Sequence, residues 1–184
     1  MTDQNTRQAG PFRYEDLEDL PDDCYRREII GGALVVTPAP HYGHQRASVR
    51  LAAILLAAET AETRALNAPF DWRLPDGGLV EPDLLVIRQA DIDPKGPLHA
   101  SATPLLVVEI LSPSNPQLDL VVKRDLYEGL RVPAYWIVDP ERPSVLALRL
   151  TGGVYSIEAE VAGDDEYATD WPFPVRFRPT DLQT

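Results

Sequence analysis

Short apolar runs alternate along the chain with clusters of proline, glycine and acidic residues, and this rhythm predicts the elements. Tyr14 to Leu20 reads as a short acidic helix, stopped by Pro21 and the Asp22-Asp23 turn. Glu28 to Ile30 and Ala33 to Thr37 read as two strands, and the Gly31-Gly32 pair between them suits a tight hairpin. Pro38 and Pro40 end the second strand. From His41 to about Thr63 the chain is helix-rich, and Val49, Ala52, Ala53 and Leu56 fall at helical spacing on a face expected to be buried.

A β-rich stretch follows. Asn67 to Leu74 and Leu79 to Arg88 flank Pro75-Asp76-Gly77-Gly78, which is hairpin punctuation. Residues 89–103 read as an exposed connection. Pro104 to Leu111 is almost wholly apolar, the pattern of a strand covered on both sheet faces. Ser112-Pro113-Ser114-Asn115-Pro116 breaks it and leads into a helix from about Gln117 to Leu130. Ala134 to Val138 reads as a central strand, and Ser144 to Leu150 with Val154 to Glu160 as a hairpin around Gly152-Gly153. The acidic tail and proline-rich end are expected to pack peripherally. With no repeat, linker or low-complexity block, residues 1–184 are expected to form one α/β domain with a mixed sheet.

Composition narrows the class. The 184 residues are 44% hydrophobic and 25% charged, enough apolar side chain to offset chain entropy and form a core. Cys24 is the only cysteine, which excludes an internal disulfide or a cysteine-rich zinc site. The first 25 residues lack the apolar stretch of a secretory signal, and the run Leu51 to Ala58 is far too short to span a bilayer. A protein with no membrane partner, located in the cytoplasm, is the expectation. The net charge of −12 opposes a nucleic-acid partner, whose phosphates attract basic surfaces. The acids are concentrated at the ends, however: residues 29–157 hold 14 acids against 11 bases, so the opposition weakens there.

Candidate chemistry comes from carboxylates set in apolar strands. Asp83 directly precedes Leu84-Leu85-Val86-Ile87, and Glu109 lies inside Leu105-Leu106-Val107-Val108-Glu109-Ile110-Leu111. A carboxylate buried there must be paired or bound to a metal; otherwise it points outward or meets a nearby arginine. Asp119, Lys123 and Tyr127 recur at i, i+4 and i+8 and share a helix face. Alone, they are a surface ion pair and a packed tyrosine. With two strand acids nearby, they compose a set in which carboxylates hold Mg²⁺ through hard oxygens and an ammonium orients water or stabilises charge at phosphorus. If the two acids repel in the metal-free protein, Asp83→Asn would leave it as stable or more stable. His44 and Gln45 begin the long helix, where a phosphate could be contacted, although capping or packing explains a histidine there equally. Tyr127, Tyr135 and Trp136 read as core. No G-x-S-x-G, G-x-x-x-x-G-K-[ST] or G-x-G-x-x-G pattern offers another chemistry.

Several segments carry a family resemblance, in order along residues 14 to 160: Arg27-Glu28-Ile29-Ile30-Gly31-Gly32, Gly43-His44-Gln45, Ala68-Pro69-Phe70-Asp71-Trp72-Arg73, Glu81-Pro82-Asp83-Leu84, Val108-Glu109-Ile110-Leu111-Ser112-Pro113, Asp119 with Lys123 and Tyr127, and Tyr135-Trp136-Ile137-Val138-Asp139-Pro140. The chain resembles the Uma-type restriction endonuclease family of the PD-(D/E)XK nuclease superfamily. The resemblance implies a restriction-endonuclease-like core, a mixed central β-sheet flanked by helices. It implies a Mg²⁺-dependent endonuclease, with Mn²⁺ as substitute, acting on nucleic acid, with DNA the expected substrate and RNA the alternative. Asp83, Glu109 and the backbone carbonyl of Ile110 would bind the metal, with Glu28 assisting and Lys123 positioning the attacking water. For Glu28, a salt bridge to Arg26 or Arg27 is the competing explanation. A homodimer follows if both strands are cut, because that takes two sites.

Two departures qualify the resemblance. The superfamily's usual lysine lies two residues after the glutamate, where this chain has Leu111, so Lys123 on the following helix must replace it. The other lysine, Lys95, lies in a polar connection. Gly31 and Ala33 stand where relatives commonly carry acids. The alternative is a non-catalytic interaction module that retains the fold, favoured by the net charge and by Leu111.

Overall fold

The computed structural model describes residues 11–19, 25–93, 102–113 and 115–183; the expectations for Pro21, Asp22, Asp23, Cys24, Lys95 and Ser114 lie outside them. Tyr14–Asp19 forms a 3₁₀ helix. Strands β1 (Arg26–Ile30) and β2 (Ala33–Thr37) form the expected antiparallel hairpin. Gly31 and Gly32 have φ of 56° and 78°, the left-handed pair that a two-residue hairpin turn of matching twist requires. Helix α1 (Tyr42–Ala57) leads to β3 (Thr63–Asn67), β4 (Trp72–Arg73), β5 (Leu79–Val80) and β6 (Leu84–Arg88). After β7 (Leu106–Ile110) come a π-helical segment, Leu118–Lys123, and a short helix α2 (Arg124–Gly129). Strands β8 (Ala134–Asp139), β9 (Ser144–Thr151) and β10 (Val154–Ala162) follow, then the small hairpin of β11 (Tyr167–Thr169) and β12 (Val175–Phe177).

Two larger sheets organise these strands. A six-stranded sheet has the order β10-β9-β8-β7-β6-β3; β7 and β8 run parallel, joined through the π segment and α2, and the other neighbours are antiparallel. A four-stranded sheet has the order β2-β1-β5-β4. The hairpin predicted for residues 67–74 and 79–88 is therefore divided. Asn67 pairs with Leu84 in the large sheet, whereas Trp72 pairs with Val80 in the small one. Pro69 and Pro82 fall in the two gaps, and a proline has no N–H to continue a ladder.

Both faces of the large sheet are covered, which is why its central strands lack alternation. Leu106, Val108, Ile110, Trp136 and Val138 face Ala47, Leu51 and Leu55 of α1 together with Tyr167, Phe173, Val175 and Phe177. On the other face Leu85, Val107, Tyr135 and Ile137 meet Trp72, Leu74 and Val80 of the small sheet region and Tyr127 of α2. Burying each large apolar side chain contributes roughly 1.5–3 kcal/mol, so the C-terminal hairpin is a substantial part of the core and not the peripheral appendage predicted. Helix α1 also buries a different face from the one predicted. Val49 and Leu56 are 61% and 52% exposed, while His44, Ala47, Ser48, Leu51 and Leu55 point inward. The run Leu51-Ala52-Ala53-Ile54-Leu55-Leu56-Ala57 is apolar all round, so spacing alone gives no facing direction.

Candidate active site

Strand alternation brings the two candidate acids to one face. Asp83 has the parity of Leu85 and Ile87, and Glu109 that of Val107, all directed toward the small sheet. The pairing of Leu84 with Val108, continued one step, sets Asp83 opposite Glu109 on the neighbouring strand. From the small sheet, Arg26 and Glu28 on β1 alternate in the same way and project together into the seam between the sheets. The π segment supplies Lys123 from above β7.

The contacts divide the carboxylate oxygens cleanly. Glu109 Oε1 accepts from Lys123 Nζ at 2.9 Å and from the Tyr127 hydroxyl at 2.7 Å. Glu28 Oε1 lies 3.0 Å from Lys123 Nζ and accepts from the Glu81 backbone N–H at 3.0 Å. Asp83 Oδ2 accepts from His44 Nε2 at 3.1 Å and from the Ile110 backbone N–H at 2.8 Å, and its Oδ1 accepts from Arg26 Nη1 at 2.7 Å. Glu28 Oε2 and Glu109 Oε2 are buried without a hydrogen-bond partner. Arg26 Nη2 stands 3.7 and 3.8 Å from them, respectively. Asp119 Oδ1 stands 3.9 Å from Lys123 Nζ. Glu28, Glu109 and Lys123 are completely buried.

Electrostatics follow from this burial. Burial pushes the Asp83 carboxyl up, but the His44 hydrogen bond and the charges of Arg26, His44 and Lys123 outweigh it and hold the group well below the usual carboxylate range. Glu109 goes the other way: burial raises it, with Asp83 and Glu28 adding to the rise against Lys123 and Arg26. Burial also pushes Asp119 up to about 8, assisted by the Glu109 charge. For Lys123, burial alone would lower the ammonium, yet Glu109, Glu28 and Asp119 more than reverse it, so it stays a cation. The two acids are thus shifted in opposite directions, Asp83 down and Glu109 up.

The structure gathers Asp83, Glu109, Glu28 and Lys123 into one cluster, buried and not lining an open cleft. Both explanations weighed for Glu28 operate, because it faces Lys123 and Arg26 together. His44 and Gln45 part company. The His44 ring contacts Asp83, while Gln45 one position on is exposed. His41 caps α1, its Nδ1 facing the His44 N–H at 3.4 Å. The Ile110 carbonyl lies one peptide along from Glu109, and the same residue's N–H steadies Asp83. The expectation that Asp83 is strained by repulsion is overturned, since three donors converge on it. Tyr127 and Tyr135 are core residues with working hydroxyls, on Glu109 Oε1 and on the Asp119 carbonyl at 3.0 Å. Arg26, a salt-bridge candidate for Glu28 in the sequence, belongs to the site itself, and its i, i+2 spacing from Glu28 is the signal that both side chains face the same way.

Among the described residues, no group of three or more His, Cys, Asp or Glu side chains closes on a common metal position. Donor chemistry nevertheless fits a hard cation. Asp83 Oδ1, Glu28 Oε2 and Glu109 Oε2 all face one guanidinium, and two of these oxygens lack any hydrogen bond.

A pair of acids on neighbouring strands of a mixed sheet, with a lysine from the following helix, is the arrangement that the family resemblance implies. The chain belongs to the Uma2 family, described as putative restriction endonucleases, which it matches over residues 14–177. Its fold is shared with the crystal structure of a putative nuclease belonging to DUF820 from Anabaena variabilis ATCC 29413, at a TM-score of 0.76 and 18% sequence identity, covering 94% of this chain and 97% of that one. No curated relative matches. Among the described residues, no helix is long and apolar enough to cross a membrane.

Proposed function

We propose that the chain is a divalent-metal-dependent endonuclease that hydrolyses phosphodiester bonds of DNA, working with Mg²⁺ or Mn²⁺ in the cytoplasm as a homodimer. The observation that carries this reading is the 2.9 Å contact between Lys123 Nζ and Glu109 Oε1, on the acid that stands opposite Asp83. It supports the idea that the helix lysine replaces the one missing at Leu111.

In this reading Asp83, Glu109 and the Ile110 carbonyl hold the metal, with Glu28 close enough to assist. When bound, the metal polarises a phosphoryl oxygen and makes water a stronger nucleophile. Asp83 remains ionised for that task because its donors keep it so. Lys123, a cation held by Glu109 and Glu28, orients the attacking water and offsets charge at phosphorus during in-line displacement. Tyr127 fixes the rotamer of Glu109 and leaves its second oxygen for the ion.

The test is cleavage of supercoiled plasmid, linear duplex and single-stranded RNA by the purified chain with Mg²⁺, Mn²⁺ or EDTA. Metal-dependent nicking of DNA that disappears in both Asp83→Asn and Lys123→Ala is the expected result. Activity that survives EDTA or both substitutions would falsify the assignment. An inert wild type that binds no divalent ion would identify an interaction module instead.

A further inference from the structure

We infer that Arg26 is the resident counter-ion of the cation position, and that a divalent ion enters by displacing its guanidinium. This rests on the metal-dependent reading above and adds a regulation of that same site.

The partition of oxygens carries the argument. Every other donor in the cluster takes one oxygen of each acid: Glu109 Oε1 by Lys123 and Tyr127, Glu28 Oε1 by Lys123 and the Glu81 N–H, Asp83 Oδ2 by His44 and the Ile110 N–H. The three oxygens left over all face Arg26, at 2.7, 3.7 and 3.8 Å. Two of them are buried and make no hydrogen bond at all. The Arg26 guanidinium thus stands among three acids that come from β1, the residue before β6, and β7.

Arg26 is also the cation made to leave. It holds one acid by a hydrogen bond and the other two only at ion-pair range, and its Nε has no partner. Its side chain is 22% exposed, whereas that of Lys123 is fully enclosed. A small divalent ion and a guanidinium cannot share these oxygens, because the ion needs them at about 2.0–2.1 Å and the two charges repel. Without an ion, Arg26 keeps the acids together; with one, it moves toward solvent.

The measurement is Mn²⁺ binding by titration calorimetry to the full chain, wild type and Arg26→Gln, with thermal melts in parallel. Arg26→Gln should melt lower than wild type without metal and bind Mn²⁺ roughly tenfold tighter or more, the scale of one removed charge about 4 Å away. Its melting point should accordingly rise further on adding Mn²⁺. Equal or weaker binding by a folded Arg26→Gln overturns the inference and leaves the metal-dependent reading standing. Absence of binding in both proteins overturns that reading, and the inference with it. Should the variant not fold, the wild type decides: the Arg26 side-chain N–H signals in nitrogen-15 spectra should lose their protection from solvent exchange as Mg²⁺ is added. Signals that stay protected at saturating Mg²⁺ overturn the displacement.

Discussion

Lys123 and Glu109 meet at 2.9 Å although a proline-rich turn and a change of secondary structure separate them. Lys123 closes the π-helical segment Leu118–Lys123 and is buried there, while the Tyr135 hydroxyl donates to the Asp119 carbonyl. Removing Lys123 takes away the close cation that Glu109 and Glu28 share in the buried cluster. Lys123→Ala should lower stability by about 3–5 kcal/mol and reduce cleavage by on the order of a hundredfold or more. Adding Glu28→Gln to it should restore part of the stability, a non-additivity readable by urea unfolding. Simple additivity would mean that the two side chains do not share the charge.

Asp83→Asn should destabilise the metal-free protein by about 1–3 kcal/mol, because an amide cannot accept from Arg26, His44 and the Ile110 N–H together. The pH dependence has a definite sign. A carboxyl held below its unfolded value, here about 3.9, contributes stability above that value and loses it as pH falls through the folded one. Chemical denaturation at successively lower pH should show this acid limb in wild type and a shallower one in Asp83→Asn. An unchanged limb would assign acid sensitivity to other carboxylates.

Asp119 acts in the opposite direction. Its folded value of about 8 lies far above the unfolded one, so the folded chain binds the extra proton and loses stability as pH rises between the two. Glu81, held up at about 7 by burial, adds the same sign. Melting points should fall from about pH 5 to about pH 8, and Asp119→Asn should flatten that slope. A slope identical to wild type would exclude Asp119 as its source.

Tyr127→Phe isolates one hydrogen bond. The ring remains stacked on Trp72 at 6.1 Å and edge-on to Tyr135 at 5.1 Å, while Glu109 Oε1 loses a donor at 2.7 Å. A loss of about 1.5–3 kcal/mol is expected, the range for hydrogen bonds to charged groups. Unaltered unfolding would show that Lys123 alone suffices to hold Glu109.

The large sheet was legible because its strands are buried on both faces: Leu106 to Ile110 and Ala134 to Val138 stand out as apolar runs without needing alternation. Asp83 and Glu109 were conspicuous for the same reason, as charges where none is tolerated unpaired. What stayed hidden depends on long-range packing. The face of α1 is set by the sheet beneath it, not by its own uniformly apolar sequence. The transfer of the chain from β3 to β4 is visible only as Pro69 and Pro82, which mark an interruption without saying which sheet comes next. The π turn has no composition of its own, so Asp119 and Lys123 looked like a surface pair on an ordinary helix. Arg26 looked like one more charge in an acidic segment until Glu28, two residues on, was seen to be inside.

The acids come from two separate sheets and their counter-ions from β1, α1 and the π segment, so the cluster exists only along the seam where those sheets dock. Glu28 and Arg26 leave the ribosome early, Asp83 and Glu109 later, and Lys123 later still, so no partial chain carries the whole set. Whatever chemistry the cluster performs is thereby withheld until synthesis has passed residue 123 and both sheets have closed on each other.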